Sequence, residues 1–111
     1  MTLKVIDSVN WKSITDSQKC ILVLGKSSCP NCLEWEELLS AAIINGFRDD
    51  FVFAKVLLDS PSLAKFKMKY TWINDIDIFP HTALLSNGER KSFMSGKGID
   101  RLLNLIEQMS D

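Results

Sequence analysis

Two cysteines separated by two residues, Cys29 and Cys32 in Ser28-Cys29-Pro30-Asn31-Cys32, are the side chains whose type and spacing best equip this chain for chemistry. The spacing has three readings: a dithiol–disulfide couple, half of a zinc site, or two ordinary buried thiols. Zinc takes four ligands, and beyond the pair the chain offers Cys20, His81 and carboxylates but no second paired motif. Three cysteines are an odd number, wrong for a disulfide framework. The redox reading leads. If a helix opens at Pro30, Cys29 becomes its N-cap, where free amide N–H groups and the helix dipole favour a thiolate. Cys32 then lies three residues before Trp35 on the inward face. One sulfur is presented and the other is sheltered a turn behind. Cys29 thiolate would attack a client disulfide to form a mixed disulfide. Cys32 would then attack Cys29, releasing reduced client and leaving a Cys29–Cys32 bridge that an external reductant must reset.

The elements that must hold this pair lie on both sides of it. Cys20-Ile21-Leu22-Val23-Leu24 is an unbroken apolar run, the pattern of a strand covered on both faces. From Pro30 to Asn45, Cys32, Trp35, Leu38, Leu39, Ala42 and Ile43 recur at helical spacing, with Pro30 at the start and Asn45-Gly46 at the end. Phe51 to Leu58 reads as a second buried strand. Ser60, before Pro61, is a candidate cap for a helix carrying Leu63, Phe66 and Tyr70. Thr82–Leu85 and Lys91–Met94 flank Asn87-Gly88, a strong hairpin signal. Ile99, Leu102, Leu103, Ile106 and Met109 mark a final amphipathic helix. A short strand at Leu3–Ile6 and a helix around Ser8–Asp16 complete the order β-α-β-α-β-α-β-β-α, an α/β fold with a closing antiparallel hairpin.

The 111 residues contain no repeat or linker, so a single domain over 1–111 is expected. With 46% hydrophobic and 24% charged residues the composition is that of an ordinary globular protein. Thirteen Lys and Arg against fourteen Asp and Glu leave a net charge of −1, which argues against nucleic acid or an anionic membrane as partner. No apolar run approaches the roughly 20 residues that span a bilayer. Met1–Asp7 lacks the basic-then-apolar profile of a secretory signal, so the cytoplasm is the expected address.

Over almost its whole length the chain resembles the thioredoxin superfamily. The matching features, in order, are strand Ile21-Leu22-Val23, Cys29-Pro30-Asn31-Cys32 opening a helix, Ala54-Lys55-Val56 through Asp59, and Phe79-Pro80 ahead of the Asn87-Gly88 hairpin. Gly96, before the last helix, also fits. The resemblance implies a central mixed sheet with helices on both faces. It implies a cis peptide before Pro80, placed against the cysteine pair so that the Phe79 backbone can pair with a substrate strand. Pro30, Asn31, Phe79, Pro80, His81 and Trp72 are then the candidate substrate-binding residues around catalytic Cys29 and Cys32.

Departures from the family pattern are specific. The aromatic residue usual before the nucleophile is Ser28 here, and Pro30 directly after it is similar to glutaredoxins. The acid that thioredoxins bury in the preceding strand, thought to help deprotonate the second cysteine, is replaced by Val23 or Leu24, so another proton acceptor or a slower resolving step is expected. Lys55 matches a family lysine or is a solvated strand-end charge. His81 stands where the family usually has Thr; protonated and near Cys29 it would lower the thiol pKa, and otherwise it has no role. Trp72, in a loop over Thr71–Phe79 with Asp75 and Asp77, either rims the site or packs on the third helix. Cys20 is expected as a buried structural thiol. The leading expectation is a monomeric thiol–disulfide oxidoreductase without bound cofactor, acting on a disulfide-containing client with electrons from a donor such as a thioredoxin reductase or glutathione. The alternatives are a glutathione-dependent, glutaredoxin-like enzyme and a non-catalytic interaction module.

Overall fold

The apolar run after Lys19 forms the covered centre of a five-stranded sheet, every residue of it buried. The computed structural model describes residues 3–109. Strands β1 (Lys4–Val5), β2 (Cys20–Gly25), β3 (Val52–Leu57), β4 (His81–Ser86) and β5 (Glu89–Ser95) lie in the order β1-β3-β2-β4-β5. β3 pairs parallel with β1 and β2, whereas β4 runs antiparallel to β2 and β5. The sheet is therefore mixed. Helices α1 (Trp11–Thr15), α2 (Pro30–Ile44), α3 (Ala64–Lys69) and α4 (Ile99–Met109) complete the expected order, with a 3₁₀ turn over Thr71–Asp75 between α3 and β4.

Strand alternation divides the interior into two cores. Ile21, Val23, Phe53 and Leu84 point to the α2 and α4 side and meet Trp35, Leu39, Leu102 and Ile106. Leu22, Leu24, Val56 and Leu85 point the other way and meet Ile14, Phe66, Tyr70 and Ile73. At the hairpin Asn87 (φ 51°) and Gly88 (φ 87°) both take the left-handed conformation that a tight two-residue turn requires. The Tyr70 hydroxyl donates to the Gly88 carbonyl at 3.1 Å and fastens the turn to the end of α3.

Three sequence expectations need correction. Ser60 does not cap α3: its N–H closes a turn onto the Leu57 carbonyl, Ser62 takes φ 69°, and the helix starts at Ala64 behind Leu63. A left-handed residue cannot continue into a right-handed helix, which delays the start. The stretch after Tyr70 is not open loop throughout, because Thr71–Asp75 winds into the 3₁₀ turn. The buried stripe of α2 is also rotated from the expected one. Leu38 is 45% exposed, while Glu36, one turn after Cys32, is buried.

Candidate functional site

Cys29 has extended backbone angles (φ −107°, ψ 105°) and is the N-cap of α2, with Pro30 in the first turn. Pro30 suits that place because its missing N–H falls where helical N–H groups have no intrahelical acceptor. The Cys32 backbone N–H donates to Cys29 Sγ at 3.2 Å. A sulfur thus occupies the place usually taken by a serine or aspartate oxygen, at the positive end of a 15-residue helix. Cys29 is bonded to Cys32 in a disulfide with a Cα–Cα separation of 5.2 Å. Cys29 is half-buried; Cys32 is 1% exposed.

The floor beneath Cys32 is backbone. A Cβ on Gly25, the last residue of β2, would stand 3.0 Å from Cys32 Sγ. The β2–β4 register pairs Leu24 with His81, so continuing it by one residue sets Pro80 beside Gly25 and hence beside the cysteine pair. The Phe79–Pro80 peptide bond is cis, as the resemblance implied. Pro80 is buried, and its carbonyl accepts from the Gly96 N–H at 2.8 Å, which ties the segment to the end of β5. Among the described residues, neither the N–H nor the carbonyl of Phe79 has a hydrogen-bond partner. The Phe79 ring lies 5.0 Å from Lys26 Nζ, a cation–π contact that brings it to the loop before Cys29. That loop is anchored in turn, since the Ser27 N–H and hydroxyl both donate to the Asp59 carboxylate at the end of β3. Asn31 is exposed on the rim, where Lys97 reaches its Oδ1 at 3.4 Å and Glu34 at 2.9 Å. Cys29, Pro30, Asn31, Cys32, Phe79 and Pro80 are therefore gathered at one end of the sheet.

His81 and Trp72 belong to a different cluster. Thr82 points to the α2 side, where its hydroxyl accepts from the Trp35 indole N–H at 2.9 Å. By alternation His81 points to the opposite side. There its ring stacks on Phe93 (centroids 5.1 Å) and faces Trp72 (5.8 Å), with Arg90 Nη1 3.3 Å from its Nε2. Trp72 packs on Tyr70 at the end of α3, and the Arg90 guanidinium lies between the Trp72 and Phe93 rings at 4.3 and 4.2 Å. Burial, with the Arg90 charge adding to it, pushes the His81 pKa down to about 4. An imidazolium at His81 supporting a Cys29 thiolate is therefore corrected. The ring is neutral near pH 7 and faces away from α2.

Cys20 begins β2, at the far end of the strand from the pair, and is fully buried. Burial raises its thiol pKa to about 12, which leaves it inert as a nucleophile near neutral pH. Among the described residues no three His, Cys, Asp or Glu side chains converge as a metal site. No described helix is long and apolar enough to cross a membrane.

One pair near the site was missed in the sequence. Lys55 Nζ donates to Glu36 Oε1 at 2.7 Å, and Glu36 is 8% exposed. The signal was present: Glu36 lies four residues after Cys32, on the same helical face, and Lys55 interrupts an apolar strand.

Neither a family model nor a curated relative matches the chain. Solved structures do. Thioredoxin f2 of Chlamydomonas reinhardtii is 23% identical, with a TM-score of 0.71 over 96% of this chain and 94% of that one. The Malassezia sympodialis thioredoxin Mala s 13 gives a TM-score of 0.77 at 19% identity, over 99% of this chain and 92% of that one. Oxidised thioredoxin O2 of Arabidopsis thaliana gives 0.74 at 16% identity, over 99% and 96%. Together with the strand order and the disulfide at the head of α2, these likenesses identify the chain as a thioredoxin-fold protein carrying a Cys-x-x-Cys pair.

Proposed function

We propose that this protein is a thiol–disulfide oxidoreductase that exchanges disulfides of client proteins through Cys29 and Cys32. The observation that carries the reading is the sulfur of half-buried Cys29, held by the Cys32 N–H at the open end of α2. That environment stabilises sulfur as an anion, in the attacking thiolate and equally in the leaving one. In the reductive direction the Cys29 thiolate attacks a client disulfide and expels one client thiolate. Cys32 then loses its proton and attacks Cys29; the client–Cys29 bond breaks, the second client thiol departs, and the intramolecular bridge remains. Two electrons pass from the dithiol to the client, and a dithiol donor or glutathione restores them. No bound cofactor enters this cycle. The unpaired Phe79 backbone supports docking of an extended client segment beside the pair.

Turnover of a disulfide-bonded model protein under an external reductant tests the reading, with mass spectrometry counting the Cys29–Cys32 bridge across a glutathione redox series. Repeated cycles that vanish in Cys29→Ser are expected. Client binding that persists in Cys29→Ser, with no turnover in the parent protein, would overturn the reading in favour of a binding module. Rapid resetting by glutathione alone would mark the glutaredoxin-like alternative, whereas dependence on a flavin reductase marks a thioredoxin-type donor.

A further inference from the structure

Resting on the exchange cycle just proposed, we infer that Glu36, held by Lys55, is the proton acceptor for Cys32 in the resolving step. The need is physical. The nucleophile is a thiolate, yet Cys32 is 1% exposed and sits over the bare backbone of Gly25, so bulk water is not at hand to take its proton. Val23, on the strand below, is apolar and buried.

Glu36 answers that need from the helix. Residues four apart on a helix have Cβ atoms roughly 5–6 Å apart, and helical side chains slant toward the N-terminus. The Glu36 side chain therefore leans back over the turn that holds Cys32. Alternation sends Lys55 to the α2 side along with Phe53, and its ammonium fixes Glu36 Oε1 at 2.7 Å. Among the described residues Oε2 accepts no hydrogen bond, and it is not sealed from solvent. An open groove between β1 and α2, lined by Leu3, Val5, Leu33, Glu36 and Lys55, meets the carboxylate there. The charged groups that share this groove are Lys55 from β3 and Glu37 from α2; β1 contributes apolar Val5, and Leu3 stands just before it.

The step balances. The Cys32 S–H proton passes to the Glu36 carboxylate. The Cys32 thiolate attacks Cys29 Sγ, the Cys29–client S–S bond breaks, and the client sulfur leaves with the electron pair. Glu36 then returns its proton to the groove. Lys55 is a positioning residue: its ammonium holds Glu36 Oε1 at 2.7 Å and so fixes where the carboxylate stands.

The test uses Glu36→Gln, which keeps the size of the side chain and an oxygen for Lys55. Stopped-flow measurement follows release of client from a preformed Cys29 mixed disulfide, and the Cys29 attack is timed separately in a Cys32→Ser background. The pH dependence of Cys32 alkylation is read in a Cys29→Ser background. In Glu36→Gln the release step should slow by about a hundredfold near pH 7, the size of a lost general base, while the Cys29 attack stays unchanged. Its alkylation profile should move the other way, to lower pH, because a neighbouring negative charge has gone. A purely structural role gives no such opposition of kinetics and acidity. Release at the parental rate, or equal slowing of both steps, overturns the inference while leaving the exchange function intact. If the parent protein forms no mixed disulfide at all, the exchange reading fails first and this inference falls with it.

Discussion

Thr82 and His81 are adjacent in one strand and share nearly complete burial, yet they serve opposite sides of the sheet. Thr82 binds the indole of Trp35, one turn behind Cys32, and so steadies the helix that carries the cysteines. His81 closes a column of Trp72, Arg90 and Phe93 on the side of α1 and α3. Proximity in sequence to Pro80 is therefore a poor guide to a chemical role. The parity of the strand decides which neighbour supports the helix that carries the cysteine pair and which packs on the far side of the sheet.

Substitutions on the two sides should separate accordingly. Trp35→Ala, which empties a fully buried site beneath α2, should cost about 3–5 kcal/mol in denaturant unfolding, and a smaller loss would mean the helix resettles over the gap. On the other side, the depressed His81 pKa makes stability depend on pH. The folded protein keeps the ring neutral down to about 4, whereas the unfolded chain protonates near the ordinary 6.5. This contribution is fully present above that ordinary value and is lost as pH falls toward the folded one, on the order of 1–3 kcal/mol. Unfolding curves near neutral pH and near the folded value should show the loss, and His81→Gln should flatten it. The Asp50 carboxylate, held down first by Arg48, has its own loss only below its ordinary 3.8, so the two windows separate.

Thr82→Val comes next in size. It leaves the Trp35 N–H unpaired in the core, for about 1–3 kcal/mol, with the loss absent in a Trp35→Phe background. The smallest effect sharpens the comparison most. In the reduced protein, His81→Ala should leave the pH profile of Cys29 alkylation unchanged, and a displaced curve would show that the ring acts across the sheet after all.

Much of this architecture was legible in the sequence because its signals are local. An apolar run, Pro30 at the head of a periodic segment and Asn87-Gly88 between two strands each declare an element within a few residues. The cap position of Cys29 follows from the same local logic. The cis bond at Pro80 came from resemblance rather than from any pattern in the residues. What escaped notice depends on three-dimensional register. Glu36 looks like a solvated helix charge until β3 brings Lys55 against it, and Leu38 looks buried until α2 is rotated to seat Cys32 over Gly25. Ser60 fits a helix cap by composition, but the left-handed Ser62 that defers α3 leaves no mark in a list of residue types.

Position 25 has one more consequence. With only a hydrogen there, the helix can lie flush on the strand, and the seat it finds is set by the radius of one sulfur atom. Lengthening that residue by a single carbon would act as a shim, lifting the first turn and spoiling the aim of the cap long before it disturbed either core.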